Sequence, residues 1–234
     1  MKVLLFGSTG RTGLAIITYL LESPKSHIVT AVARNPSALA DHPQHDHKNL
    51  RIVKGDLKNA SFVEEQVAEH DVVVFAAGMS TVMGGRTPDG IYAESAKTIR
   101  RAILQAQRVS DSQRKIRFIG VTSGGIRPGN EVNFPFIYQF VIKPLFLQPS
   151  YDEMVLMERE FRDPDQNAEE IDWSFVQPPR LTDVERTGNY RVEAEKMIVG
   201  GCEIGRKDLA AFIVERMVDD ETGEFRGKEV TLGY

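Results

Sequence analysis

Apolar residues follow two rhythms along this chain. Short, nearly unbroken apolar runs alternate with longer stretches in which apolar positions recur every three or four residues, the signatures of buried strands and amphipathic helices. The runs predict strands at Met1–Gly7 (MKVLLFG), His27–Arg34, Arg51–Leu57, Asp71–Gly78, Lys115–Gly125 and Ile171–Leu181, with Glu229–Gly233 closing the sheet. The stretch LAIITYLLE carries Leu14, Ile17, Leu20 and Leu21 at helical spacing, and a helix from Pro88 to about Val109 keeps Ile99, Ala102, Ile103 and Ala106 on one face. Ser61-x-x-Glu64 and Ser150-x-x-Glu153 read as capping boxes, and Thr87-Pro88 as an N-cap followed by proline at the first helical position. Repeated strand–helix alternation predicts an α/β fold, a doubly wound parallel sheet of the Rossmann type in three α/β/α layers. With no repeat and no long linker, residues 1–234 are expected to form one domain.

In such a sheet, ligands bind where loops leave the carboxyl ends of the strands. The first of these loops reads GSTGRTG, Gly7–Gly13. Glycines at intervals of three between a strand and a helix fit either a plain turn or a site where a ligand approaches the backbone. A triphosphate loop would need Lys-Ser/Thr after its last glycine, because an ammonium must reach the outer phosphates. Gly13 is followed by Leu14 and Ala15, which removes that reading. A dinucleotide needs a tight turn, close backbone approach and the free N–H groups of a helix N-terminus, and Gly7, Ser8, Thr9, Gly10, Arg11 and Thr12 offer these.

Which dinucleotide follows from the end of the second strand. An NAD site usually places a carboxylate there for the ribose 2′-hydroxyl, whereas an NADP site needs cations for the 2′-phosphate. Here Arg34 stands at that position, and Arg11 could clamp the phosphate from the other side. NADP(H) is the expected cofactor.

Bulk composition narrows the partners. A net charge of −4 provides no basic footprint for nucleic acid. The most apolar late stretch, Phe134–Leu147, is too short to span a bilayer and contains Lys143 and two prolines, so no membrane association is expected. The single cysteine, Cys202, fits a reducing, cytoplasmic compartment. A monomer or weak homodimer acting on a small molecule is expected.

Several segments together resemble a known family: GSTGRTG, the Arg34–Ser37 turn, Gly55-Asp56-Leu57, Ala76-Ala77-Gly78, Val121-Thr122-Ser123, and Asp172-Trp173 followed by Pro178–Asp183. The chain is similar to the atypical short-chain dehydrogenase/reductases, in the NAD(P)H-binding, NmrA-like branch that includes flavin and biliverdin-IXβ reductases. The late pattern of that branch is echoed by Ile204–Phe212. The resemblance implies that Asp56 and Leu57 edge the adenine, that Ala76, Ala77 and Gly78 pass under the ribose, and that Thr122-Ser123 and Pro178–Leu181 flank the nicotinamide.

Standard members use Tyr-x-x-x-Lys together with a serine. The nearest match here is Tyr151-x-x-x-Val155, with Glu158 following and no lysine in place. Ser123 and Tyr151 are therefore the candidate catalytic residues. A phenol without a cationic neighbour can donate a proton but is a poor base at neutral pH. This favours hydride delivery to a planar conjugated acceptor, flavin- or tetrapyrrole-like, or to a carbonyl compound, over reversible alcohol oxidation. The same missing lysine fits a non-catalytic NADP(H)-sensing regulator.

Substrate-side elements are expected near 79–90, 126–165 and 180–205. Gly84-Gly85 are candidate hinges, Phe134, Phe136, Tyr138, Phe140 and Phe146 a candidate apolar lining, and Arg86 and Arg180 candidate anion contacts. Asp41–His47 holds three of the five histidines but reads as a solvated loop, not a metal site.

Overall fold

The computed structural model describes residues 1–78, 90–109, 115–126, 143, 145, 147–163 and 171–234. The chain runs β1 (Lys2–Phe6), α1 (Arg11–Glu22), β2 (Ile28–Ala33), a 3-10 turn at Pro36–Leu39, β3 (Leu50–Lys54), α2 (Ala60–Ala68), β4 (Val72–Phe75), α3 (Ala93–Val109) and β5 (Arg117–Val121). It continues with α4 (Gln148–Arg162), β6 (Asp172–Gln177), β7 (Arg180–Thr182), β8 (Arg191–Ala194), β9 (Glu203–Gly205), α5 (Arg206–Phe212) running into a π-turn segment at Ile213–Val218, and β10 (Lys228–Gly233).

Among the described residues the main sheet has eight strands in the order β3-β2-β1-β4-β5-β6-β10-β8. All its pairings are parallel except the edge pair β10–β8. Alternation along each strand divides the core between two faces. Val3 and Leu5 of β1, with Val72 and Val74 of β4, pack under Ile16, Ile17 and Leu20 of α1 and Leu209 and Phe212 of α5. The intervening Leu4, Phe6, Val73 and Phe75 pack against Val63 and Val67 of α2, Ile99 and Ile103 of α3, and Met157 and Phe161 of α4. A strand covered on both sides needs apolar residues at every position, which is why these runs are unbroken. Strand order reverses between β1 and β4, and open α/β sheets bind their ligands outside the carboxyl ends of the strands at such a reversal.

Four sequence-based expectations are corrected. α2 is capped by Asn59, whose Oδ1 accepts the Phe62 N–H at 3.2 Å, not by Ser61. Ser150 is the third residue of α4 and buried, so it caps nothing; its supposed partner Glu153 instead accepts the Ala93 N–H at the start of α3. α3 begins at Ala93, later than expected, and Thr87-Pro88 lie outside the described residues. The long strand at Ile171–Leu181 breaks at Pro178-Pro179, which cannot donate to a ladder; β7 then leaves the main sheet and pairs with β9.

The carboxyl-terminal half is tied together at Asp208. Its carboxylate accepts the N–H groups of Thr187 (3.0 Å) and Gly188 (2.7 Å) and the hydroxyls of Thr187 (3.0 Å) and Tyr234 (2.7 Å). Burial pushes this carboxyl up, but the hydrogen bonds it accepts outweigh burial and hold it below the ordinary aspartate value. A lowered value means stability that is present above the unfolded-state pKa and lost as pH falls through the folded one. Asp208→Asn is expected to cost about 1–3 kcal/mol at neutral pH, since it sets an amide where four donors face a buried carboxylate. In denaturant unfolding, the wild-type advantage should shrink in acid; equal stability at neutral pH would show that Asp208 is not a staple.

Candidate functional site

The geometry of the first loop is set by backbone against backbone. β1 ends at Phe6 and Gly7 turns with φ of +83°. A Cβ on Gly7 would lie 2.3 Å from the Ala77 nitrogen, and one on Gly13 would lie 2.2 Å from the Gly7 carbonyl oxygen. Gly7 thus allows the turn and Gly13 lets α1 seat on it. Ser8 faces inward, its hydroxyl donating to the Val32 carbonyl at 2.7 Å, and so fastens the loop to β2. Thr9, Gly10 and Arg11 are exposed and Thr12 is half-buried.

Gly10 differs from its two partners. A Cβ there would meet only the Gly7 carbonyl oxygen at 3.4 Å, so the protein's own packing does not demand glycine. Gly10 is also the N-cap of α1 and brings no side chain to receive the first-turn N–H groups; no acidic residue stands in that turn either. Those N–H groups have no intrahelical partner and carry the positive end of the helix dipole. Space kept clear above an uncapped helix start fits the pyrophosphate of a dinucleotide.

Around this loop lie the other edges of the site. Arg34 follows β2, is exposed, and has no ion-pair or hydrogen-bond partner among the described residues. Arg11 is held by Asp183 at 2.5 Å, and Asp183 also accepts from Arg206 of α5 at 2.6 Å. The Arg11 guanidinium is thus engaged by a carboxylate in this structure. Asp56 is exposed and accepts the Lys58 N–H, and Leu57 is half-buried. Ala76 and Ala77 are half-buried beside Gly7, with Gly78 exposed after them. Leu181 is half-buried in β7, whereas Arg180 is paired with Glu203 across the β7–β9 ladder instead of standing open to an anion.

The second part of the site gathers where β5 and β6 end. The Thr122 N–H donates to Val176 and the Gly124 N–H to Pro178, both at 2.9 Å, so the two exit loops run together. Ser123 donates through its hydroxyl to the Tyr151 phenol oxygen at 3.3 Å. Gly125 makes this possible, because its hypothetical Cβ would lie 3.0 Å from the Tyr151 ring. The Lys143 ammonium lies 5.8 Å from the centroid of that ring, and both side chains are buried. The expectation of a phenol without a cationic neighbour is thus corrected: the cation comes from eight residues upstream, not four downstream. Beneath the pair, the buried Glu158 carboxylate accepts from the Thr122 hydroxyl at 2.6 Å and from the Gln177 amide at 2.9 and 3.0 Å.

Lys143, Glu158 and Gln177 were not among the expected site residues. A lone lysine inside the apolar run Phe134–Leu147 was the available signal, since lysine is rarely buried unless paired. In the histidine-rich loop, His42 bonds to the Thr18 hydroxyl and the Leu14 carbonyl, and His47 accepts the Asn49 N–H. Gly84, Gly85, Arg86, Phe134, Phe136, Tyr138, Phe140 and Phe146 lie outside the described residues.

The chain belongs to the NAD(P)H-binding family, whose sequence model matches residues 7–220. Solved structures share its fold at low sequence identity. A short-chain dehydrogenase/reductase from Veillonella parvula, in complex with NADP, superposes with a TM-score of 0.75 at 15% identity, covering 100% of this chain and 94% of that one. A candidate NADH-flavin reductase from Streptococcus pneumoniae gives 0.69 at 20% identity, covering 100% and 99%. The low-salt glycan biosynthesis protein Agl12 of Haloferax volcanii is 34% identical over 93 residues, which is 38% of this chain and 30% of that protein's length. Among the described residues, no helix is long and apolar enough to cross a membrane.

The contrast between the glycines is testable. Gly10→Ala should fold with a melting temperature close to wild type and lose about tenfold or more in NADPH affinity. Gly13→Ala should fail to fold or melt far lower, because its Cβ meets backbone. Unchanged NADPH affinity in a folded Gly10→Ala would remove the pyrophosphate from this turn.

Proposed function

We propose that the protein is an NADPH-dependent reductase that passes hydride to a small planar conjugated acceptor, flavin- or tetrapyrrole-like, or to a carbonyl compound. The observation that carries this reading is the partly buried Ser123–Tyr151 hydroxyl pair, with Lys143 against the phenol ring, at the carboxyl ends of β5 and β6. NADPH, when bound, supplies the hydride. The backbone N–H groups of Arg11 and Thr12 receive the pyrophosphate, and Arg34 takes the 2′-phosphate in the absence of a carboxylate at the end of β2. Thr122, Pro178 and Leu181 flank the nicotinamide half, while Asp56, Leu57 and Ala76–Gly78 border the adenosine half. Ser123 orients the acceptor, and the Tyr151 hydroxyl delivers a proton where the acceptor cannot take one from water. Lys143, 5.8 Å from the centre of the phenol ring, packs against Tyr151 and helps to hold it in place. The name of the pneumococcal neighbour supports a flavin as the first acceptor to try. The exposed, unbridged Cys202 supports a reducing, cytoplasmic setting. Residues 1–234 act as one domain, with β7–β9 on the substrate side.

NADPH oxidation followed at the nicotinamide absorbance band, with flavins, biliverdin, quinones and carbonyls as acceptors, is the test. Turnover above background with at least one planar acceptor or carbonyl is expected. Tyr151→Phe should cut a carbonyl rate by about a hundredfold or more, the usual scale of general acid catalysis, and a flavin rate only slightly. Tight NADPH binding with no turnover of any acceptor would replace this reading with a dinucleotide sensor.

A further inference from the structure

Glu158 has no role in the chemistry above, yet it sits in a costly place. It lies on the buried face of α4, where Met157 and Phe161 already dock the helix; Phe161 stacks on Phe118 of β5 with ring centroids 4.0 Å apart. Apolar contact therefore suffices to hold α4 on the sheet. A carboxylate only 3% exposed adds a desolvation cost of several kcal/mol, which persists only where hydrogen bonds offset it. Two side chains with matching positions are among those that supply them. Gln177 is the last residue of β6 and Thr122 the first after β5, so one carboxylate grips both strands at their carboxyl ends. Thr122 precedes Ser123, which bonds to Tyr151, and Tyr151 precedes Glu158 by seven residues, about two turns on the same helical face. The hydroxyl pair is thus fixed from both directions, Tyr151 by α4 and Ser123 through Thr122.

We infer that Glu158 is a positioning residue for the nicotinamide half of the dinucleotide site, holding Thr122 and Gln177 in one arrangement beneath the Ser123–Tyr151 pair. The inference rests on the proposed placement of the nicotinamide at the ends of β5 and β6, but not on turnover. Its specific consequence is a split between the two halves of the cofactor: disturbing Glu158 should loosen the nicotinamide half and leave the adenosine half alone, because Arg34 and the Gly7–Gly13 turn lie on other strands.

The experiment compares binding of NADPH with binding of adenosine 2′,5′-bisphosphate, which lacks the nicotinamide half, alongside melting temperature. Glu158→Gln keeps the volume but sets one amide against another. It should weaken NADPH about tenfold, as expected when a buried hydrogen-bonding group loses its partner, and change the bisphosphate less than about twofold. The exchange Glu158→Gln with Gln177→Glu rebuilds donor and acceptor with their places reversed, and should return NADPH affinity to within about threefold of wild type. Should Glu158→Gln fail to fold, Thr122→Val, which removes one hydroxyl, should show the same split. Equal weakening of both ligands, unchanged NADPH affinity in a folded variant, or no recovery in a folded exchange variant would each overturn the inference. A wild type that binds NADPH and reduces no acceptor would defeat the reductase reading and leave this one standing.

Discussion

Backbone packed against backbone at the end of β1 is the constraint on which the site depends. Gly7 can lie against Ala76 and Ala77 only because it has no side chain, and α1 can start directly above it only because Gly13 has none. These two contacts place an uncapped helix N-terminus at the point where strand order reverses. The rest of the core serves that placement. Unbroken apolar runs bury the parallel strands, with α1 and α5 covering one face and α2, α3 and α4 the other.

Electrostatics near the turn are arranged so that an anion meets little resistance. Asp183 occupies Arg11 in the structure, with help from Arg206. Arg11 and Asp183 are both largely exposed, and such pairs are worth at most about 1 kcal/mol, so exchange of Asp183 for a phosphate at Arg11 costs little. Arg34 has no partner among the described residues to exchange. On the far side of the site the polar groups are buried instead, where hydrogen bonds are stronger and misplacement is more damaging. One half of the site is thus built for charge capture and the other for alignment.

Most of this was legible where the physics is local. β1, β2 and β4 read directly from the chain because a strand covered on both faces is apolar at nearly every position, Thr30 of β2 being the buried exception. The glycines read because their spacing between a strand and a helix is itself a local pattern, although the contact that demands Gly7 comes from Ala76 and Ala77. What stayed hidden depends on distance in sequence. β8 has only exposed and half-buried positions and β9 is three residues long, so neither carries an apolar run. Ser61 and Ser150 match a capping pattern, but Asn59 starts α2 earlier and Ser150 is taken into the packed interior of α4. Lys143 reaches Tyr151 by a tertiary path that the four-residue spacing rule does not cover, and Gln177 looks like any strand residue until Glu158 packs over it. Arg11 meets Asp183 across 172 positions of sequence, which no local pattern reveals.

The proposed preference for the phosphorylated dinucleotide comes down to one exposed guanidinium, Arg34, at the end of β2. Calorimetric titration of NADPH and NADH against the wild type and Arg34→Ala measures it directly. A charge-assisted contact to phosphate is worth about 1.5–3 kcal/mol, so Arg34→Ala should weaken NADPH roughly tenfold to a hundredfold while NADH, which has no phosphate to lose, stays nearly constant. Equal losses for the two nucleotides, or none for either, would contradict a 2′-phosphate read by Arg34.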